Sequence, residues 1–193
     1  MIKIKYCYII LLFFLFSCAN EYTPKPKGYP RITKLEAGYS SYDGQSMSFL
    51  YPTISNIKEE YPETEGEVWI NINYPQYDAT IYCTYLPITR KTLSKALEDS
   101  YQLAYSHAAK ATEIKQIQYK DENRNIAGLI YDIEGSVAVP IQFYVTDSVS
   151  SFFRGSVYYN HAVNPDSVAP ITAYLREDII ALMESLQWKT QSK

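Results

Sequence analysis

The chain has 193 residues, a formal net charge of −3, 47% hydrophobic residues and 20% charged residues. That length fits one domain plus a leader, and the apolar share supports a packed core and argues against disorder. The acidic balance argues against a nucleic-acid binder, which needs a basic surface to displace counterions.

Lys3 and Lys5 precede an almost wholly apolar run from Cys7 to Phe16. The run is shorter than the roughly 20 apolar residues of a membrane span, so residues 1–17 are expected to be a signal peptide. Small Ser17 directly before Cys18 suits lipoprotein processing. In that chemistry the sulfur receives a diacylglycerol, the leader is cut before the cysteine, and a fatty chain such as palmitate caps the new amine. Bulky Phe16 stands where a smaller residue is commoner. An ordinary secretory signal cut after Ser17 or Ala19, and an N-terminal membrane helix, are the alternatives. Losing the two leader lysines leaves 16 basic against 21 acidic groups, a net charge of −5.

Residues 18–31 are expected to form the lipid anchor and a tether. Pro24, Pro26 and Pro30 fix φ and push their predecessors into extended geometry, so YTPKPKGYP favours polyproline II. This stiff segment presents Tyr22, Lys25, Lys27, Tyr29 and Arg31 as candidate partner-binding residues, and the lysines would lie near anionic headgroups.

Residues 32–193 are expected to be a single domain. Met47–Tyr51 reads as a short strand stopped by Pro52. Val68–Tyr74 alternates cleanly, with Val68, Ile70, Ile72 and Tyr74 on one face and Trp69, Asn71 and Asn73 on the other. Thr80–Leu86 is the next strand. There Ile81, Cys83 and Tyr85 share a face, which makes Cys83 a small buried hydrophobe rather than a nucleophile, since nothing local would activate it. With Cys7 removed and Cys18 lipidated, Cys83 has no disulfide partner.

The spacing of Leu93, Ala96, Leu97, Tyr101, Ala104, Tyr105 and Ala108 predicts a long helix over 89–112, with Thr92 as its cap. Four strands follow near 114–120, 126–134, 137–146 and 150–160. Their joins, DENRN, EGS and TDSVS, suit antiparallel hairpins. Pro140 within the third of these hints at an edge or a bulge. Asn164-Pro165-Asp166-Ser167 opens a last helix to about Leu186, with Pro170 in its first turn and Ile171, Tyr174, Leu175, Ile179, Leu182 and Leu186 as its buried stripe. The order predicts an α+β fold, a mainly antiparallel sheet packed with two long helices.

Sites of chemistry are sparse. His107 and His161 are the two histidines, and no HExxH or CxxC spacing occurs, so no metal is expected. GxSxG, Walker and GxGxxG patterns are missing, and no catalytic residues or cofactor are proposed. Glu59, Glu60, Glu63, Glu65 and Glu67 crowd one apparent loop, a solvated acidic stretch rather than a glycosidase pair. Arg154, set between Phe153 and Gly155 in an apolar strand, is expected to pair with Asp132 or Glu134. The alternative is an anchor for a partner's carboxylate or an anionic ligand.

Tyr22-Thr23-Pro24-Lys25-Pro26-Lys27-Gly28-Tyr29 and Arg31-Ile32 resemble the gliding-motility lipoprotein GldD family of the Bacteroidota. The resemblance continues through Phe152-Phe153-Arg154-Gly155-Ser156-Val157-Tyr158-Tyr159, Asn164-Pro165-Asp166-Ser167 and Leu186-Gln187-Trp188, and so covers the chain beyond the leader. It implies a non-enzymatic envelope lipoprotein, anchored to a membrane and facing the periplasm, required for gliding and the associated type IX secretion, with machinery proteins as partners. It brings no catalytic residues. Element order together with FFRGSVYY also looks like the Mog1/PsbP-like architecture. A different reading rests on the 20 tyrosines, whose rings could stack on sugar faces in a ligand- or glycan-binding lipoprotein. A cell-wall enzyme would need convergent carboxylates or a histidine in a pocket.

Overall fold

A computed structural model of the chain describes residues 34–35, 37–161 and 164–189. The expected leader and tether, residues 1–31, lie outside these described residues. Ten strands and two α-helices follow in the order β1 (Tyr39–Asp43), β2 (Met47–Pro52), β3 (Asn56–Glu60), β4 (Val68–Tyr74), β5 (Ala79–Pro87), α1 (Leu93–Tyr105), β6 (Ala111–Asp121), β7 (Ile126–Gly135), β8 (Ile141–Thr146), β9 (Ser151–Tyr159), α2 (Pro165–Ser185) and β10 (Gln187–Trp188).

Every described strand pair is antiparallel. A seven-stranded sheet runs β3-β4-β5-β9-β8-β7-β6, and β1-β2-β10 form a small second sheet. The chain leaves β5, crosses through α1 to the far edge, and meanders back through β6, β7 and β8. β9 thereby closes against β5, joining Tyr82 to Ser156 and Thr84 to Arg154 across the ladder. The molecule is an α+β protein.

Period-two alternation divides the large sheet into two faces. One presents Ile70, Ile72, Tyr74, Ile81, Cys83, Tyr85, Phe153 and Val157 to α2 and the small sheet. Ile171, Leu175, Ile179, Leu182 and Met183 of α2 are buried there, and Phe49 of β2 lies 5.8 Å from Phe153, ring centre to ring centre. Burying each such side chain contributes about 1.5–3 kcal/mol, so this layer holds most of the stabilising energy. The other face receives α1. Ala104 packs with Leu129, Tyr131 and Ile133, and Ala96 packs with Ile88 and Phe152.

α2 begins as its sequence demands. The Asn164 side chain accepts a hydrogen bond from the Asp166 amide at 3.0 Å, and Pro165 occupies the first helical position. Pro170 falls inside the helix, beyond the first turn. α1 is shorter than the 89–112 helix read from the apolar spacing: it ends at Tyr105, and turns at residues 106–110 lead into β6. β6 begins at Ala111 and so claims Ala111 and Thr112, the last two residues of that expected helix. Thr92 precedes α1 in helical geometry without a side-chain cap; it bonds instead with Thr89.

Other expectations also change. Pro140 does not mark an edge: β8 starts just after it, between β7 and β9, and the Pro140 carbonyl accepts from the Ile133 amide at 2.8 Å. Glu59 and Glu60 belong to strand β3 rather than to an acidic loop. β1, β3 and β10 carry no strong alternation and were not anticipated. The DENRN hairpin has a structural use. Arg124 donates to Asp121 Oδ2 at 2.7 Å and to the Leu186 carbonyl at 3.0 Å, and also to the Tyr119 hydroxyl, tying the β6–β7 turn to the end of α2.

Candidate functional site

Of the residues singled out from the sequence, Cys18, Tyr22, Lys25, Lys27, Tyr29 and Arg31 lie outside the described residues. Arg154 is described, and its surroundings differ from the expectation. On β7, Asp132 and Glu134 share the α2 face with Ile130, whereas Arg154 projects with Phe152 and Ser156 toward the α1 side. The expected ion pair is therefore not made. Asp132 holds Arg176 of α2 at 2.9 Å, and Glu134 holds Lys115 at 2.6 Å. β8 also separates β9 from β7. Arg154 is half-buried, and among the described residues its guanidinium has no hydrogen-bond or ion-pair partner.

The reason is the position of α1. The helix covers β7, β8, the start of β9 and the Leu86 end of β5 but leaves β3, β4 and the rest of β5 open. Arg154 sits where cover ends. Ser100 and Leu103 of α1 stand on one side of it and Tyr82, Thr84 and Tyr158 on the other, around a hollow of about 200 Å³. Gln142 at the floor donates to the Leu103 carbonyl at 3.2 Å, which fixes the helix over this edge. A second, shallower hollow adjoins it between Arg154 and the outer turn of α1, where Asp99 is exposed without reaching Arg154 as an ion pair.

The open half-sheet carries three of the exposed aromatic rings, Trp69, Tyr82 and Tyr158. Tyr82 and Tyr158 meet edge to face, with ring centres 5.5 Å apart and planes at 80°. They remain 47% and 40% exposed, so both rings keep surface open to solvent. Trp69 is exposed on β4, its indole N–H donating to Glu67. By contrast, Tyr42, Tyr74, Tyr77, Tyr85 and Tyr131 are buried. Tyr39, Tyr61 and Tyr101 are exposed elsewhere on the surface, and Tyr82 and Tyr158 are the exposed pair that lines the Arg154 hollow. Sequence reading named Arg154 but missed Tyr82 and Tyr158. Their alternation with Ile81, Cys83 and Val157 is the signal that could have found them; what it could not supply was the β5–β9 pairing that sets them side by side.

The backbone under Arg154 is tightly held. A Cβ on Gly155 would stand 2.5 and 2.6 Å from Phe143 ring carbons and 3.0 Å from Cys83 Sγ. Cys83 is 2% exposed and free, and burial pushes its thiol pKa well up, which makes it a core residue. His161 Nδ1 shares a hydrogen bond with Asp78 Oδ2 at 2.6 Å, and Asn160 donates to the same carboxylate, so this histidine braces a turn. These bonds, from Asn160 first and then His161, hold the Asp78 carboxyl below its usual range. Among the described residues no group of three or more His, Cys, Asp and Glu side chains is placed to hold a metal, and no helix is long and apolar enough to cross a membrane.

No curated protein matches this chain. Among solved structures, it is similar to cyanobacterial PsbP (CyanoP) from Synechocystis sp. PCC 6803, at 13% identity with a TM-score of 0.49, covering 81% of this chain and 95% of that one. The family described as "Gliding motility lipoprotein GldD" matches residues 19–188, which takes in every described strand and helix. The chain belongs to the gliding motility lipoprotein GldD family.

Proposed function

We propose that the protein is a non-enzymatic, structural or assembly component of the gliding apparatus and of the associated type IX secretion, held to a membrane by lipid on Cys18 with its domain facing the periplasm. The observation that carries this reading is the family match, which begins one residue after Cys18 and runs to the last described strand. Two or three acyl chains hold a protein far more firmly than one, because each buried CH2 contributes about 0.8 kcal/mol. The stiff, basic segment with Tyr22, Lys25, Lys27, Tyr29 and Arg31 then lies close to the headgroups and is the first surface a membrane-bound partner meets.

Metabolic labelling with palmitate tests the anchor: label on the wild-type protein and none on Cys18→Ala is expected, and label on both overturns it. Crosslinking in cells from probes at Tyr29 and Arg154 tests the partners. Recovery of no machinery protein, together with normal gliding and secretion in a deletion strain, overturns the assembly role. A second reading, a lipoprotein that binds a small ligand or glycan, is favoured by one observation, the exposed Tyr82–Tyr158 pair beside Arg154, which is unpaired among the described residues.

A further inference from the structure

We infer that the Arg154 hollow is a binding site for an acidic sugar, a pyranose ring carrying one carboxylate. The inference rests on the second reading above and is independent of the gliding role.

A half-buried guanidinium has lost part of its hydration and needs an acceptor in return. The nearest carboxylates on β7 are engaged on the opposite face by Arg176 and Lys115, and Asp99 lies on the outer rim without forming an ion pair. Among the described residues no side chain supplies the missing acceptor, and a ligand in the hollow would. The planar fork of arginine matches a carboxylate with two parallel hydrogen bonds. The site holds one cation, with Asp99 adding negative charge at the rim, so it suits a monoanion better than a phosphate carrying nearly two charges.

The ring follows from what surrounds the charge. Tyr82 lies opposite Ser156 on the ladder, with Arg154 and Tyr158 two residues to either side of Ser156 on β9. Tyr82 therefore sits one diagonal step from Arg154, a backbone separation of roughly 7–8 Å, and both side chains line the same hollow, so one ring can meet the tyrosine and the guanidinium together. The C–H face of the sugar covers the tyrosine, and its hydroxyls reach Thr84, Ser156 and the side-chain oxygen of Gln142. A hollow of about 200 Å³ is smaller than the roughly 300–1,000 Å³ sites that enclose drug-sized ligands. It takes one ring and leaves the rest of a chain in solvent along the open half-sheet.

The test titrates the full-length lipidated protein in detergent micelles with methyl glucuronide, methyl glucoside, acetate and inorganic phosphate, followed by ligand-observed NMR. Methyl glucuronide should bind saturably and about tenfold more tightly than the neutral glucoside. Arg154→Gln should bring the glucuronide down to the glucoside level, and Tyr82→Ala should weaken both sugars. Should Arg154→Gln lower the melting temperature, Arg154→Lys replaces it: keeping charge without the fork, it should still weaken the glucuronide selectively. Equal binding of the two sugars, unchanged by Arg154→Gln, overturns the acid and leaves a ring site. Displacement of glucuronide by acetate or phosphate at equal concentration overturns the ring and leaves a plain anion site. Saturable binding by neither sugar overturns the second reading together with this inference.

Discussion

Asp178 → Asn is expected to stabilise the protein at neutral and alkaline pH and to do almost nothing in acid. Asp178 lies on α2 between Glu177 and buried Ile179 and is 6% exposed. Burial pushes its carboxyl up to about 6 from an ordinary 3.8; Lys34 and the Tyr74 hydroxyl, which donates to it, oppose that rise, and Glu177 adds to it. The folded state therefore holds this proton more tightly than the unfolded chain. The associated stability is fully present below the unfolded value and is lost as pH rises through about 6. The gap between 3.8 and about 6 corresponds to about 3 kcal/mol. Asparagine is neutral, of nearly the same shape, and still accepts from Tyr74. At pH 8 the variant should gain up to about 3 kcal/mol, less whatever the weaker Tyr74 bond costs, or roughly 5–10 °C in melting temperature for a chain of this size. At pH 4 wild type and variant should agree within about 1 kcal/mol. Urea unfolding followed by tryptophan fluorescence at both pH values measures the difference. A gain of equal size at the two pH values, or a loss confined to pH 8, would refute the reasoning, because either result means that an ionised Asp178 carries no desolvation cost in the fold.

Three further outcomes are expected. Gly155→Ala should destabilise by about 1–3 kcal/mol in the same assay, since the new methyl meets the Phe143 ring and Cys83 in a filled layer. Arg124→Ala should lose about 1–3 kcal/mol by detaching the β6–β7 turn from the Leu186 carbonyl, and Arg124→Lys should recover only part of it, because lysine cannot reach Asp121, Tyr119 and Leu186 together. Arg154→Ala should leave the urea midpoint within about 0.5 kcal/mol, where a buried ion pair would have cost about 3–5 kcal/mol.

Much was legible locally. The alternation of Val68–Tyr74, the apolar stripe of α2 and the Asn-Pro-Asp start of that helix each depend on neighbours a few residues away, and each appears where the pattern put it. Cys83 was readable as core for the same reason: Ile81 and Tyr85 share its face. Asp178 was not, since a carboxylate in the helix that buries Leu175 and Ile179 reads as a solvent-facing turn until Tyr74 is known to meet it. β3 and β10 also escaped notice. A five-residue strand and a two-residue strand exist through the partners they bond, β4 and β2, rather than through any periodicity of their own.

The candidate site shows the same division. By itself the sequence determined that Arg154 is a cation in an apolar strand, that Ile81, Cys83 and Tyr85 share one face of theirs, and that motifs near both ends of the chain resemble one lipoprotein family. Only the tertiary structure decided which carboxylates Arg154 could reach, and it assigned Asp132 and Glu134 to other cations on the other face. It also brought Tyr82 against Tyr158 across 76 residues of chain. Alternation along a strand is set by backbone geometry and is written into every short segment, whereas the face a strand shows to the solvent, and the strand it lies beside, depend on where a distant helix ends.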